Sequence, residues 1–117
     1  LGPRLAVWPF DWVDPPRAER LAMILVEIFP SYYFHLAGFN PAKNAAAGPA
    51  FMNAALKSYG SRGVGADFAP RGSDADEADA IISAAALRWF AGKGGPWTAP
   101  PAAAREGWIF GVPDLSS

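Results

Sequence analysis

The 117 residues carry ten lysines and arginines against eleven acids, a net charge of −1, and 51% are hydrophobic, including eight phenylalanines and five tryptophans. That balance excludes a disordered tail and a basic domain held on nucleic acid mainly by charge, but not an enzyme that reaches phosphate through a metal. With no cysteine and a single histidine, His35, disulfides, thiolate metal sites and zinc centres of several imidazoles are excluded too.

Arg4 to Phe10 (RLAVWPF) is short, apolar and stopped by Pro9, the pattern of a strand reaching a sheet edge or end. Asp14-Pro15-Pro16 marks a helix start, with Asp14 as cap and proline in the first turn, and the helix has only a turn or two before Leu21. Leu21 to Phe29 is apolar at every position but Glu27 and reads as a strand buried on both faces, as in a parallel sheet covered by helices. Pro30-Ser31 breaks it, and Tyr32 to Leu36 gives a short aromatic helix ending near Gly38. Ala42 to Tyr59 is helical in composition; Gly48-Pro49 splits it and leaves the stronger helix from Ala50 to Tyr59. Between Ser61 and Pro70 the alternation of Val64, Ala66 and Phe68 suits a short strand. Ser73 or Asp74 caps a helix over Ala75 to Ala91, closed by Gly92 and a Lys93-Gly94-Gly95-Pro96 linker. Ala99 to Ala104 is a Pro/Ala-rich connection, and Glu106 to Pro113 is a short final strand or an extended segment lying on the core.

Strands alternating with helices indicate an α/β fold, one domain over residues 1–117 with a small, mainly parallel sheet covered by helices. The opening Leu1-Gly2-Pro3, without methionine, and the thinness of the sheet lead us to expect N-terminal strands upstream of this segment. The longest apolar run falls far short of the roughly 20 residues that span a bilayer, and no export leader is visible. The expectation is a cytoplasmic protein with no membrane partner.

The acids then need explaining. A carboxylate inside a dry strand costs several kcal/mol unless something compensates it, so Glu27 sits at the open end of its strand or has a partner. In the helix at 74–90, Asp76, Asp79, Ser83 and Ala86 share one stripe at ~100° per residue. If that stripe packs on the sheet, Asp79 approaches Glu27. Converging carboxylates repel as anions, and a hard divalent cation such as Mg²⁺ or Mn²⁺ removes the conflict and supports attack of water on a phosphodiester. The enzyme reading therefore expects the Glu27 and Asp79 carboxylates within about 4–8 Å of each other, as ligands of one metal site. Structural readings stand beside it. Acids in a first helical turn complement exposed amides and the dipole, which covers Asp74, Asp76 and Glu77. Glu27 paired with Arg71 or Lys43 would be a plain ion pair. His35 suits an amphipathic helix better than catalysis, and Gly92 to Gly95 follows a helix rather than opening one, so it is no phosphate loop.

"VEIFPS" (26–31), "DEADAIISAAALRWFA" (76–91) and "EGWIFGVP" (106–113), in that order, resemble an uncharacterised family of predicted nucleases, domain of unknown function family 429, which has an RNase H-like fold. "VWPFD" (7–11) resembles a segment preceding the strand glutamate in some relatives, and Asp76-Glu77-Ala78-Asp79-Ala80 is similar to the last helix of Holliday-junction resolvases. The resemblance implies a partial RNase H-like fold. Glu27 and Asp79 are the implied catalytic residues, and Glu27, Asp76 and Asp79 the implied ligands of Mg²⁺ or Mn²⁺, with DNA or RNA as substrate. Such enzymes also carry a first-strand aspartate, and no acid in Leu1 to Phe10 replaces it, so the implied site is incomplete and this chain alone is expected to cleave poorly or not at all. The rival expectation is a non-catalytic interaction or structural domain that keeps the fold and forms a homodimer through open sheet edges.

Overall fold

The computed structural model describes residues 5–39, 48–68, 76–95 and 97–113. Among these lie β1 (Leu5–Val7), α1 (Pro15–Arg20), β2 (Met23–Leu25), α2 (Pro30–Leu36), α3 (Pro49–Ser58), α4 (Asp76–Gly92) and α5 (Ala103–Glu106). The mixture of helices with a small parallel sheet is that of an α/β protein. The chain divides into two compact units, one of residues 1–28 with 90–117, the other of residues 29–89.

In the first unit β1 and β2 pair in parallel, Leu5 opposite Met23 and Val7 opposite Leu25. The ladder runs on through Trp8, whose N–H donates to the Leu25 carbonyl at 3.0 Å. Past β2, Glu27 makes a parallel bridge to Ile109, and the Phe110 N–H donates to the Glu27 carbonyl at 3.0 Å. The 106–113 segment is extended only around this bridge: Glu106 ends a helix, and past Ile109 the chain turns, the Val112 N–H donating to the Ile109 carbonyl at 3.2 Å, with Phe110 buried. Helix α1 forms where its local signals place it: the Asp14 carboxylate accepts the Arg17 N–H at 2.8 Å, and prolines occupy its first turn. An aromatic cluster fills the centre. The Phe110 ring lies 5.6 Å from Trp8, 5.0 Å from Trp97 and 5.7 Å from Phe90, and the Trp8 indole N–H donates to the Trp97 carbonyl.

Two expectations are corrected in this unit. The 21–29 run is a strand only at Met23–Leu25, and it is not buried on both faces: Met23 is 56% and Leu25 47% exposed. Residues two apart share a face of a strand, so Met23, Leu25 and Glu27 form one outward row. An apolar run reports side-chain chemistry, whereas cover depends on what tertiary structure lays over it. At the outer edge of β1, Val7 is covered from within the chain. Asp11 takes both main-chain groups of Val7, its N–H donating to the Val7 carbonyl and its carboxylate accepting the Val7 N–H, each at 2.8 Å. A self-capped edge of this kind discourages pairing with a second chain. Finally, the Pro/Ala-rich connection holds a helical turn, α5, ended by Gly107 at φ +88°.

The second unit is helical. Tyr33 and Phe34 of α2, Phe51, Met52, Ala55 and Leu56 of α3, and Ala78, Ile82, Ala85 and Ala86 of α4 are buried, and Phe34 stacks on Phe51 at 5.3 Å. The Tyr59 hydroxyl donates to the Tyr33 carbonyl, and burial pushes both phenols up to about 12. Gly48 (φ +73°) precedes Pro49 at the start of α3, so the Gly-Pro pair opens the stronger helix as expected; Ala42 to Ala47 lie outside the described residues. No strand forms over 61–68. The Val64 N–H donates to the Asn53 side chain at 2.6 Å and the Phe68 N–H to Gly65 in a turn, so these amides go to local partners instead of a ladder. Helix α4 covers the expected span within a residue at each end; its suggested caps, Ser73 and Asp74, lie outside the described residues.

Candidate functional site

Each unit presents carboxylates. In the first, β2 carries Glu27 two residues beyond its end, on the outward row, with the side chain exposed. The burial penalty that made this residue conspicuous is therefore absent. Glu27 stands at the carboxyl end of the parallel pair, where open α/β sheets place their ligands. It lines a cleft of about 340 Å³ with Glu106, Trp108, Ile109 and Val112. The Trp108 indole N–H donates to the Val112 carbonyl at 2.9 Å, which pins the ring as one wall. Glu106 was not among the residues expected here. Its signal lay in the sequence, since Glu106-Gly107 opens the same closing segment whose Ile109 bridges to Glu27. The other suggested partners of Glu27, Lys43 and Arg71, lie outside the described residues.

In the second unit the first turn of α4 brings Asp76 and Asp79 together, as 3.6-residue periodicity requires. Asp76 is exposed and Asp79 half-buried. Partial burial, and then the charge of Asp76, push the Asp79 carboxyl above the ordinary aspartate value. A raised native pKa means that the ionised form costs stability above that pKa, and the cost vanishes below the value of the unfolded chain. Asp79→Asn is therefore expected to raise the melting temperature of the metal-free protein at neutral pH. The gap from wild type should close on acidification through the carboxylate range, which thermal melts from pH 7 to pH 3 measure. His35 is exposed on α2.

Glu27 thus belongs to the first unit and Asp76 and Asp79 to the second. Among the described residues no three Asp, Glu or His side chains group as a metal site. Magnesium, however, keeps much of its water and is usually held by only one or two carboxylates. Asp76 and Asp79 fit that demand: they are hard oxygen donors whose mutual repulsion a divalent cation relieves. Among the described residues, no helix is long and apolar enough to cross a membrane. Compared with models of known protein families, with curated proteins and with solved structures, the chain shows no match.

Proposed function

We propose a metal-dependent, nuclease-type phosphodiester hydrolase domain of partial RNase H-like fold, its site incomplete for want of a first-strand aspartate, with Glu27, Asp76 and Asp79 as the candidate ligands of Mg²⁺ or Mn²⁺. The observation that carries this reading is geometric: the first turn of α4 sets a half-buried Asp79 beside Asp76, and burial, then the Asp76 charge, holds the Asp79 carboxyl above the ordinary range. A half-buried carboxylate beside a second one is a place where a bound cation lowers the cost of ionisation. A second support is that two of the three resembling segments, 26–31 and 106–113, meet at the Glu27–Ile109 bridge. A bound divalent cation supplies neutralisation of phosphate charge and an acidified water. The chain's own part is to hold oxygen donors at one helix start and to present Glu27 to solvent at a strand end.

The test is an assay of the protein with Mn²⁺ on single-stranded, duplex and branched DNA and RNA. The wild-type rate is expected to be low, because no first-strand aspartate is present, and any cleavage is expected to fall at least ~10²-fold further in Asp79→Asn, the scale on which a lost electrostatic partner of the transition state acts. Equal rates in the two proteins would remove the assignment. A second reading, a non-catalytic interaction domain that forms a homodimer, is favoured by the outward apolar side chains of the first unit, Phe10 at 54%, Trp12 at 69%, Met23 and Leu25.

A further inference from the structure

Ser83 is buried, 4% exposed, and its hydroxyl has no hydrogen-bond partner. Buried hydroxyls are ordinarily satisfied, because losing water without gaining a partner is a net cost. Packing alone does not ask for serine here. Ala85 and Ala86, in the next turn of α4, are buried as alanines, and Ala78 and Ile82 complete the same buried side.

What distinguishes position 83 is its place on the stripe. It stands four residues, just over one turn and about 6 Å of axial rise, beyond Asp79. Helical side chains lean in general towards the N-terminus, and for position 83 that is the direction of the turn that carries Asp79. The stripe passes from water to core: Asp76 exposed, Asp79 half-buried, Ser83 and Ala86 buried. The half-buried carboxylate of Asp79 and the unpartnered hydroxyl of Ser83 are thus successive members of one helix stripe.

We propose that Ser83 is a positioning residue for Asp79: when the Asp76–Asp79 pair holds a divalent cation, the Ser83 O–H donates to the Asp79 carboxylate and fixes it as a ligand. This rests on the reading that the pair holds Mg²⁺ or Mn²⁺. Partners that orient a metal ligand in this way typically contribute ~10–100-fold to affinity.

The experiment titrates the whole chain with Mn²⁺ by electron paramagnetic resonance and records thermal melts without metal, for wild type, Ser83→Ala, Ser83→Thr and Asp79→Asn. Ser83→Ala is expected to bind Mn²⁺ at least ~10-fold more weakly, with a metal-free melting temperature equal to or above that of wild type. Ser83→Thr, which keeps the hydroxyl, is expected to bind as wild type does. If Asp79→Asn loses Mn²⁺ while Ser83→Ala binds it as tightly as wild type, the role of Ser83 is overturned and the pair remains a cation site. If wild type binds no Mn²⁺, or Asp79→Asn binds it equally well, the site and the role of Ser83 fall together.

Discussion

Phe110→Ala is expected to destabilise the first unit by about 3–5 kcal/mol, the usual result of emptying a buried aromatic position. The ring is 2% exposed and touches Trp8, Trp97 and Phe90, which come from the end of β1, the segment before α5 and the end of α4. Two of the three contacts are near-perpendicular, at 88° and 87°, an edge-to-face arrangement that adds roughly 0.5–1.5 kcal/mol per pair beyond the area it buries. No neighbour can swing in to refill the space without abandoning one of these contacts, so the cavity persists. Small domains hold only ~5–15 kcal/mol in total, and a loss of this size brings the variant close to its unfolding midpoint. Urea titration followed by tryptophan fluorescence reads the effect directly, since Trp8 and Trp97 flank the missing ring. Trp12→Ala is the control: that side chain is 69% exposed and its loss should change stability little. A Phe110→Ala variant within 1 kcal/mol of wild type (~1 being the ordinary effect of a random substitution) would show that the cluster does not hold the unit together.

The elements legible in the sequence were those specified by near neighbours. Asp14 caps α1 because its carboxylate needs only an amide three residues away, and α4 follows from an unbroken run of alanines and aliphatic residues behind acids. The meeting of Asp76 and Asp79 was legible for the same reason, being a consequence of helical repeat alone. The errors arose where the deciding partner is distant or local chemistry competes. Apolar residues from Leu21 to Phe29 suggested a strand covered on both faces, yet Met23 and Leu25 face outward, because two three-residue strands make a sheet that the rest of the unit covers on one side. The alternation at Val64, Ala66 and Phe68 suggested a strand, but the Asn53 side chain captures the Val64 amide first. The bridge from Glu27 to Ile109 joins residues 82 positions apart (109 − 27), beyond the reach of any periodicity, and with it went the chance of recognising Glu106 on the same cleft. The α/β class could be read from the order of elements; the RNase H-like assignment stays with the resemblance and the experiments it motivates.

Glu27→Gln is expected to lower Mn²⁺-dependent cleavage by ~10²-fold or more while leaving the melting temperature within a degree or two of wild type. The two halves of this expectation have separate causes. Stability is indifferent because the side chain is exposed; what ties residue 27 into the fold is its main chain, through the Ile109 bridge and the Phe110 amide, and glutamine keeps both. Activity is expected to be sensitive because the substitution removes a charge and one carboxylate oxygen but almost no volume, so a change in rate reports chemistry rather than packing. The same position separates the two readings of the protein. If the outward row of Met23 and Leu25 is an interaction face, Leu25→Asp should abolish self-association in a sedimentation series across concentration, and Glu27→Gln should leave it intact. If the chain is a nuclease-type enzyme, Glu27→Gln silences it, and Leu25→Asp acts at most indirectly. A Glu27→Gln protein that cleaves at the wild-type rate would return this glutamate to the role of a solvent-facing residue at the end of a short strand, and would leave Asp76 and Asp79 to carry the chemistry without it.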